Sequence, residues 1–279
     1  SPRSREGRHR PAQLKQPDWL IQVKMPARPA CKRQRRPVLL TSSAMSAASL
    51  AILGVTIVIS SFISGVFGMA GGMVLLGVIL VYFDVATGML LFSIFQISGN
   101  GWRALHWRRF VRWPIFYWYI AGAMLAFVVM RAIAYVPNKA VVYILLGAMP
   151  FVTEAIPESM RPNIEWRGVP FFTGIATTIV QFMAGVGGLF LDIFFNKSKL
   201  DRKTTIATKA ITQTFSHVVR GAYFGSLTGL GHLEFKVWGP GVVLALCGAV
   251  AAPYVLERMT DHGFRRWTPP SPERNPFPK

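Results

Sequence analysis

Long uncharged runs dominate the hydropathy pattern of this chain. Residues 46–83 contain no Asp, Glu, Lys or Arg, and further uncharged stretches lie at 85–102, 113–130, 140–153, 168–191 and 237–256. A helix needs about 20 mostly apolar residues to cross a bilayer. The pattern therefore predicts an all-α, polytopic transmembrane helical bundle of about seven spans, in which 140–153 is the shortest candidate.

The chain resembles itself at an offset of 117 residues. At that offset Gly68, Gly71, Asp84, Thr87, Gln96, Arg103 and Gly122 align with Gly185, Gly188, Asp201, Thr204, Gln213, Arg220 and Gly239. An ordered series of Asp, Thr, Gln and Arg matches is hard to obtain by chance. The spacing predicts two repeats, 45–156 and 157–267, as in many transporter folds.

Two basic loops set the expected orientation. Residues 102–112 and 196–203 are rich in Lys and Arg, which is typical of cytoplasmic loops. The loop 102–112 follows the second span of the first half, whereas the loop 196–203 follows the first span of the second half. This favours an inverted pair of repeats. A parallel duplication stays open, because strict alternation through seven spans does not produce the inversion.

Net charge does not change this picture. The formal charge is +19 and the mean hydropathy is +0.37, but the charge lies outside the apolar blocks, with eleven of the 31 Lys and Arg in residues 1–44. We therefore expect a lipid bilayer and not a nucleic acid as the surroundings. The leader, 1–44, is interpreted as disordered, and whether it is native or translation begins at Met45 stays open. The Pro-rich tail, 268–279, is too short to span.

Glycines recur where the apolar runs are longest. SGVFGMAGG (64–72) lies inside a run too long for one straight helix, and QFMAGVGG (181–188) repeats the arrangement. Glycine permits positive φ and close backbone approach, so Gly68, Gly71, Gly185 and Gly188 are candidates for helix breaks that aim free N–H groups at a solute. The alternative is tight packing between helices through small residues.

A cationic stripe marks the segment 201–224. Lys209, Gln213, His217 and Arg220 recur every three or four residues and share one helical face, which lipid would not solvate. Lys209 and Arg220 would attract an anion, Gln213 would donate a hydrogen bond, and His217 could carry a coupling proton. Gln96, Asn100 and Arg103 form the corresponding first-half face. Snorkelling of the cations to an interface and a hydrogen-bonding role for His217 are the alternatives.

Enzyme chemistry has no visible basis in the sequence. There is no GxSxG, HExxH or Walker motif, the five histidines lack metal-ligand spacing, and the two cysteines do not form a framework. We expect no catalytic residue, no metal and no cofactor. Asp84 and Asp201 each stand three residues before a threonine and are interpreted as helix caps.

Three segments of the chain carry a resemblance to a known family: FISGVFGMAGGMVLLGVIL (62–80), the Gln96 and Asn100 face leading into GWRAL (101–105), and FFNKSKLDRKTTIATKAITQ (194–213) with His217 and Arg220 after it. Over nearly all of residues 46–267 the chain resembles the TauE/SafE family of sulfite and organosulfonate exporters. It implies a duplicated permease of seven or eight spans that moves small anions without ATP hydrolysis. The glycine string of the chain departs from the GxxGxGGG pattern of the family. The family would also have an eighth span after Trp267, where this chain has the Pro-rich tail. A truncated last helix is one interpretation of that difference.

The leading prediction is a secondary permease that moves a small anion, sulfite or an organosulfonate, across the inner membrane as a multi-pass protein. The alternative is a non-transporting membrane scaffold, or a membrane enzyme, that binds an anionic lipid or a partner helix through the same face. The identity of the anion, the direction of transport, the coupling ion and homodimer formation stay open.

Overall fold

A computed structural model describes residues 46–67, 70–185, 187–229, 233 and 235–258. Within these ranges the regular structure is entirely helical, with two short 3-10 turns at Arg108–Phe110 and Glu158–Met160. The nine α-helices of the described ranges are α1 (Ala47–Phe67), α2 (Ala70–Tyr82), α3 (Val85–His106), α4 (Trp113–Ile133), α5 (Lys139–Ala155), α6 (Val169–Ala184), α7 (Gly188–Phe195), α8 (Arg202–Thr228) and α9 (Phe235–Arg258). The predicted all-α class is confirmed for this part of the chain.

Three of the described helices are long and apolar enough to cross a membrane: Ala47–Val66, Trp113–Ile133 and Phe235–Val255. Apolar side chains such as Ile52, Val55 and Ile59 of α1 lie on the outside, where lipid would cover them. Helices α3 and α8 carry buried polar side chains instead, and α2 and α7 are short. The count of seven spans therefore stays a prediction, as does the inner membrane location.

The two long apolar runs are each divided between two helices. The first run is shared by α1, which ends at Phe67, and α2, which begins at Ala70. The second is shared by α6 and α7, and Gly185 follows the last residue of α6 with a left-handed φ of 75°. Gly71 lies so close to α1 that a Cβ would overlap the carbonyl oxygen of Ser60, so α2 packs closely against α1 just after the division.

Asp84 and Asp201 cap the next helices, as predicted. The Asp84 carboxylate accepts from the backbone N–H groups of Ala86 at 3.0 Å and Thr87 at 3.1 Å, and Asp201 accepts from that of Thr204 at 3.2 Å. These bonds satisfy N–H groups that the first turn of a helix leaves free. They fix where α3 and α8 begin, and hence the register of the polar face on each.

Helices α3 and α8 pack against each other, with α9 beside α3 and α4 beside α8. Helix α1 packs on α9, and α6 packs on α4, at points where Gly248 and Gly122 allow close backbone approach. At the offset of 117 residues α1 corresponds to α6 and α4 to α9, so each of these contacts has a counterpart in the other half. The inverted relation of the repeats and their boundaries stay predictions.

Candidate functional site

Two small cavities lie beside the contact between α3 and α8. The first is lined by Ser61, Ser64, Gly65, Gln96, Gly99, Asn100, Arg103, Trp107, Ile206, Ala249 and Pro253. The second is lined by Ser64, Gly72, Phe92, Gln96, Asn100, Gly185, Gly187, Gly188, Leu189, Gln213 and His217. Ser64, Gln96 and Asn100 belong to both linings and form a shared polar wall. None of the described residues of either lining is an Asp or Glu.

Backbone at two helix N-termini faces the second cavity. Gly72 lies in the first turn of α2, and Gly187 and Gly188 lie at the start of α7. The first N–H groups of a helix have no partner within the helix, and the helix dipole adds a partial positive charge there. Glycine leaves these groups uncovered, because it has no Cβ to shield them. Both N-termini therefore favour a negative charge in this cavity.

Neutral side chains complete the lining of the second cavity. Gln96 and Asn100 come from α3, while Gln213 and His217 lie one turn apart on α8. The amide nitrogen Nε2 of Gln181 lies 3.3 Å from Nδ1 of His217. With the amide in this orientation its nitrogen donates to Nδ1, and a neutral imidazole would then carry its proton on Nε2, where it can donate a hydrogen bond.

Arg103 ties the shared wall together. Its guanidinium donates to the carbonyl oxygen of Ser64 at 2.5 Å, to Oε1 of Gln213 at 3.2 Å, and to Oδ1 of Asn100. The side chain is only 7% exposed and lines the first cavity, yet its Nε has no hydrogen-bond partner, and neither does the buried hydroxyl of Ser64. Buried donors without partners are costly. Nη2 of Arg220 is also without a partner, but it lies outside both linings, whereas Arg103 and Ser64 border a cavity that a further polar group could enter.

Arg220 occupies the equivalent position in the second half but lines neither cavity. It is fully buried, donates from Nε to Oγ of Ser93 at 2.8 Å and from Nη1 to the carbonyl of Gly185, and stacks 4.4 Å from the ring centroid of Phe92. The Gly185 carbonyl stands just after the C-terminus of α6, where carbonyl groups lack helical partners and carry partial negative charge. Arg220 therefore holds the break between α6 and α7 in place.

The family of the chain is identified by its similarity to a known protein family. Residues 52–268 match the model of the sulfite exporter TauE/SafE family. The chain belongs to the TauE/SafE family. It is accordingly a membrane protein of a family of transporters. No curated protein and no solved structure matches it.

In this TauE/SafE protein the predicted site residues separate into three groups. Gln96, Asn100, Arg103, Gly185, Gly188, Gln213 and His217 line the cavities, and Gly68 lies outside the described residues. Gly71, Lys209 and Arg220 are absent from both linings. Gly71 packs against Ser60, and Lys209 forms an ion pair with Asp192. The charge of Lys209 is therefore already balanced by a carboxylate, whereas the sequence-based interpretation took it as a free anion ligand.

Sequence reasoning missed Ser64, Gln181 and Asp192. Ser64 and Gln181 stand 117 residues apart, so they occupy equivalent positions in the two halves, but unlike residue types hid the match. Asp192 ends the uncharged run 168–191, and an acid directly after a hydrophobic stretch could have been recognised as a partner for the cationic face. Among the described residues no group of His, Cys, Asp and Glu could hold a metal ion.

Proposed function

We propose that this protein is a secondary permease that carries a small oxyanion, sulfite or an organosulfonate, across the inner membrane. The anion is held in the second cavity, between the N-termini of α2 and α7. The observation that carries the proposal is that both N-termini face one cavity together with Gln96, Gln213 and His217. Membership of an exporter family supports transport over the scaffold and enzyme alternatives.

The chemistry of the second cavity suits an anion with several oxygen atoms. A helix N-terminus stabilises a nearby negative charge by about 0.3 to 1 kcal/mol at an exposed site, and by up to about 2 kcal/mol where it is partly buried. Backbone, amide and imidazole donors approach the cavity from α2, α7, α3 and α8. The three oxygens of a sulfite or sulfonate group would accept from these donors at once, and no carboxylate among the described lining residues repels them.

Transport requires the shared wall to open. The free volume is about 10 Å³ in the first cavity and about 20 Å³ in the second, which is room for little more than one water molecule in each. Arg103 holds the wall closed by joining Ser64, Asn100 and Gln213. In the proposed cycle the anion takes over donors of Arg103, the wall parts, and the anion moves between the cavities.

Uptake into proteoliposomes tests the proposal. Vesicles that contain the purified protein should accumulate radiolabelled sulfite or methanesulfonate down a gradient faster than protein-free vesicles. Either anion should also raise the thermal unfolding temperature of the solubilised protein, because a ligand that binds only the folded state stabilises it. Transport and stabilisation both absent for every sulfur oxyanion would contradict the proposal.

A glycine variant tests the position of the anion. A Cβ at Gly72 would lie 2.9 Å from Nε2 of Gln96 and 3.3 Å from Cζ of Phe92, whereas one at Gly147 of α5 would meet nothing within 4 Å. Gly72→Ala should therefore fill part of the second cavity and weaken anion binding by about tenfold, the cost of roughly one lost hydrogen bond to a charged group. Gly147→Ala is the matched control and should bind as the parent does. Equal binding by both variants would place the anion elsewhere.

A further inference from the structure

Asp192 is the acidic side chain that the proposed transport cycle leaves without a role. It lies in α7, one turn after the glycines that line the second cavity. Of the other described acidic side chains, Asp84 and Asp201 cap helices, and Glu154 and Glu165 are exposed. Asp192 is thus the described acid that lies within the helix packing, where a carboxylate is costly and commonly functional.

Lys209, the partner of Asp192, lies along α8 between residues that line the two cavities. On α8, Ile206 lines the first cavity and Gln213 lines the second, and Lys209 stands one turn from each on the same face. The side chains of Lys209 and Asp192 are 16% and 27% exposed, so the pair is sheltered but within reach of water. Lys209 would face the path of an anion between the cavities if Asp192 did not engage it.

The other charges near this pair are cationic or distant. Arg103 interacts electrostatically with Asp192, Arg202 and Lys203 lie at the start of α8, and His217 and Arg220 lie further along it. Helix α6, which packs on α7, carries no charged residue. Helix α5, also packed on α7, carries only Lys139 and Glu154, both exposed near its ends. Among the described side chains, neutralisation of Asp192 would therefore leave Lys209 and Arg103 as cations without a carboxylate beside them.

We propose that Asp192 is a proton-binding site that couples anion transport to protons by releasing Lys209. A proton from water adds to a carboxylate oxygen of Asp192, the ion pair opens, and a monoanion pairs with the ammonium of Lys209. The ion pair is neutral, and so is the set of protonated acid, ammonium and monoanion. One proton therefore accompanies one monoanion without net charge entering the low-dielectric interior.

The sign of the pH dependence follows from this exchange. At pH values below the pKa of Asp192 the acid is neutral and Lys209 is free, so the anion binds more tightly. As the pH rises through that pKa the ion pair closes and binding weakens. We expect the parent to bind methanesulfonate about tenfold more tightly at mildly acidic than at mildly alkaline pH, a coupling of ordinary size. A sulfonate remains ionised throughout, so its own protonation does not contribute.

The test follows methanesulfonate and protons together in proteoliposomes that enclose a pH-sensitive dye. The inference rests on the proposed function, so sulfonate flux by the parent is measured first. In the parent an inward sulfonate gradient should acidify the lumen. Asp192→Asn mimics the protonated acid, so it should bind sulfonate equally at both pH values and move it without acidification. Asp201→Asn is the matched control, because Asn also caps a helix well, and it should behave as the parent does.

The possible outcomes separate the two proposals. A parent that carries no sulfur oxyanion removes the proposed function, whereas a parent that carries sulfonate without moving protons removes only the coupling. Acidification by Asp192→Asn equal to that of the parent would also overturn the coupling. If Asp192→Asn does not fold, Lys209→Gln decides: it should bind sulfonate weakly and equally at both pH values, and a dependence like that of the parent would contradict the role of the pair. His217→Gln should lower the flux but keep the number of protons moved per anion.

Discussion

Arg103 and Arg220 occupy equivalent positions 117 residues apart, and they share one structural contact but differ in their surroundings. Each donates to a backbone carbonyl near the end of the helix that precedes a break, Arg103 to Ser64 of α1 and Arg220 to Gly185 after α6. Arg103 also lines the first cavity, whereas Arg220 is fully enclosed and lines neither of the two cavities described above. The difference supports a division within the proposed function, in which Arg103 serves the anion path and Arg220 serves the fold.

The surroundings of the two arginines explain this division. The ring of Phe92 covers the guanidinium of Arg220 at 4.4 Å. At the offset of 117 residues the counterpart of Phe92 is Lys209, which pairs with Asp192 beside Arg103. The aromatic ring that covers Arg220 is thus replaced by an ion pair near Arg103. Charge and water access are concentrated on the Arg103 side of the α3 and α8 contact.

The largest expected effect comes from Arg220→Met. It leaves the Gly185 carbonyl and the Ser93 hydroxyl without their charged donor in a place that is closed to water. We expect the free energy of unfolding to fall by about 3 to 5 kcal/mol, because two charge-assisted hydrogen bonds are lost and a buried acceptor is orphaned. Thermal unfolding of the solubilised protein measures this.

Arg103→Met is the partner experiment. Its acceptors border a cavity, so water can take over part of the lost hydrogen bonding, and the loss of stability should be about 1 to 2 kcal/mol. Anion transport should fall strongly although the protein folds. Equal destabilisation by the two variants, or normal transport by Arg103→Met, would remove the division of roles.

The break in the second half is expected to be intolerant of a side chain. Gly185 and Gly168 both have a positive φ, 75° and 81°, but their surroundings differ. A Cβ at Gly185 would overlap Leu76 and lie 2.9 Å from Sδ of Met89, whereas at Gly168 the nearest atom is 3.9 Å away. Gly168→Ala should cost about 1 kcal/mol from backbone strain alone, and Gly185→Ala about 2 to 4 kcal/mol because overpacking adds to it. Thermal unfolding of the two variants side by side checks the difference, and equal losses would contradict it.

The sequence was sufficient to predict the class of fold, the membrane, the family and the caps at Asp84 and Asp201. These follow from local signals: the length of uncharged runs, the position of an Asp before a helix, and specific strings. The shortest run, 140–153, lies within α5, a helix of 17 residues with Pro150 inside it. Hydropathy alone does not say which of these elements cross the bilayer, so the span count is not obtained from it.

Only the polar helix faces of the candidate site were predictable from the sequence. Helical spacing placed Gln96, Asn100, Gln213 and His217 on the faces of α3 and α8 that line the cavities, because residues three or four apart share a side of a helix. Helical periodicity does not predict which residues of neighbouring helices contact that face. Lys209 faces Asp192 of another helix, and Arg220 faces the carbonyl of Gly185. Both pairings depend on tertiary packing, so the sequence indicated the two cations but not the internal partners that the structure gives them.

The smallest effect on stability is expected at the two helix caps, Asp84 and Asp201, which occupy equivalent positions in the two halves. Asp84 accepts from two backbone N–H groups at the start of α3, whereas exposed Asp201 accepts from one backbone N–H group at the start of α8. Asp84→Ala should therefore cost about 1 kcal/mol or somewhat more, and Asp201→Ala roughly 0.5 kcal/mol, as measured by thermal unfolding. A larger loss at Asp201 would show that the start of α8 depends on more than this bond.

The Asp201 cap also carries a pH signature. Hydrogen bonds from Thr204, chiefly from its side chain, lower the pKa of Asp201 below its ordinary value. A depressed carboxyl pKa contributes stability above the pKa of the unfolded chain, and that contribution is lost as the pH falls through the pKa of the folded state. Asp201→Asn keeps the cap but cannot titrate, so its unfolding temperature should fall less than that of the parent on acidification. An identical fall in both proteins would mean that the cap does not respond to pH, and any acid sensitivity would then have to come from carboxylates elsewhere.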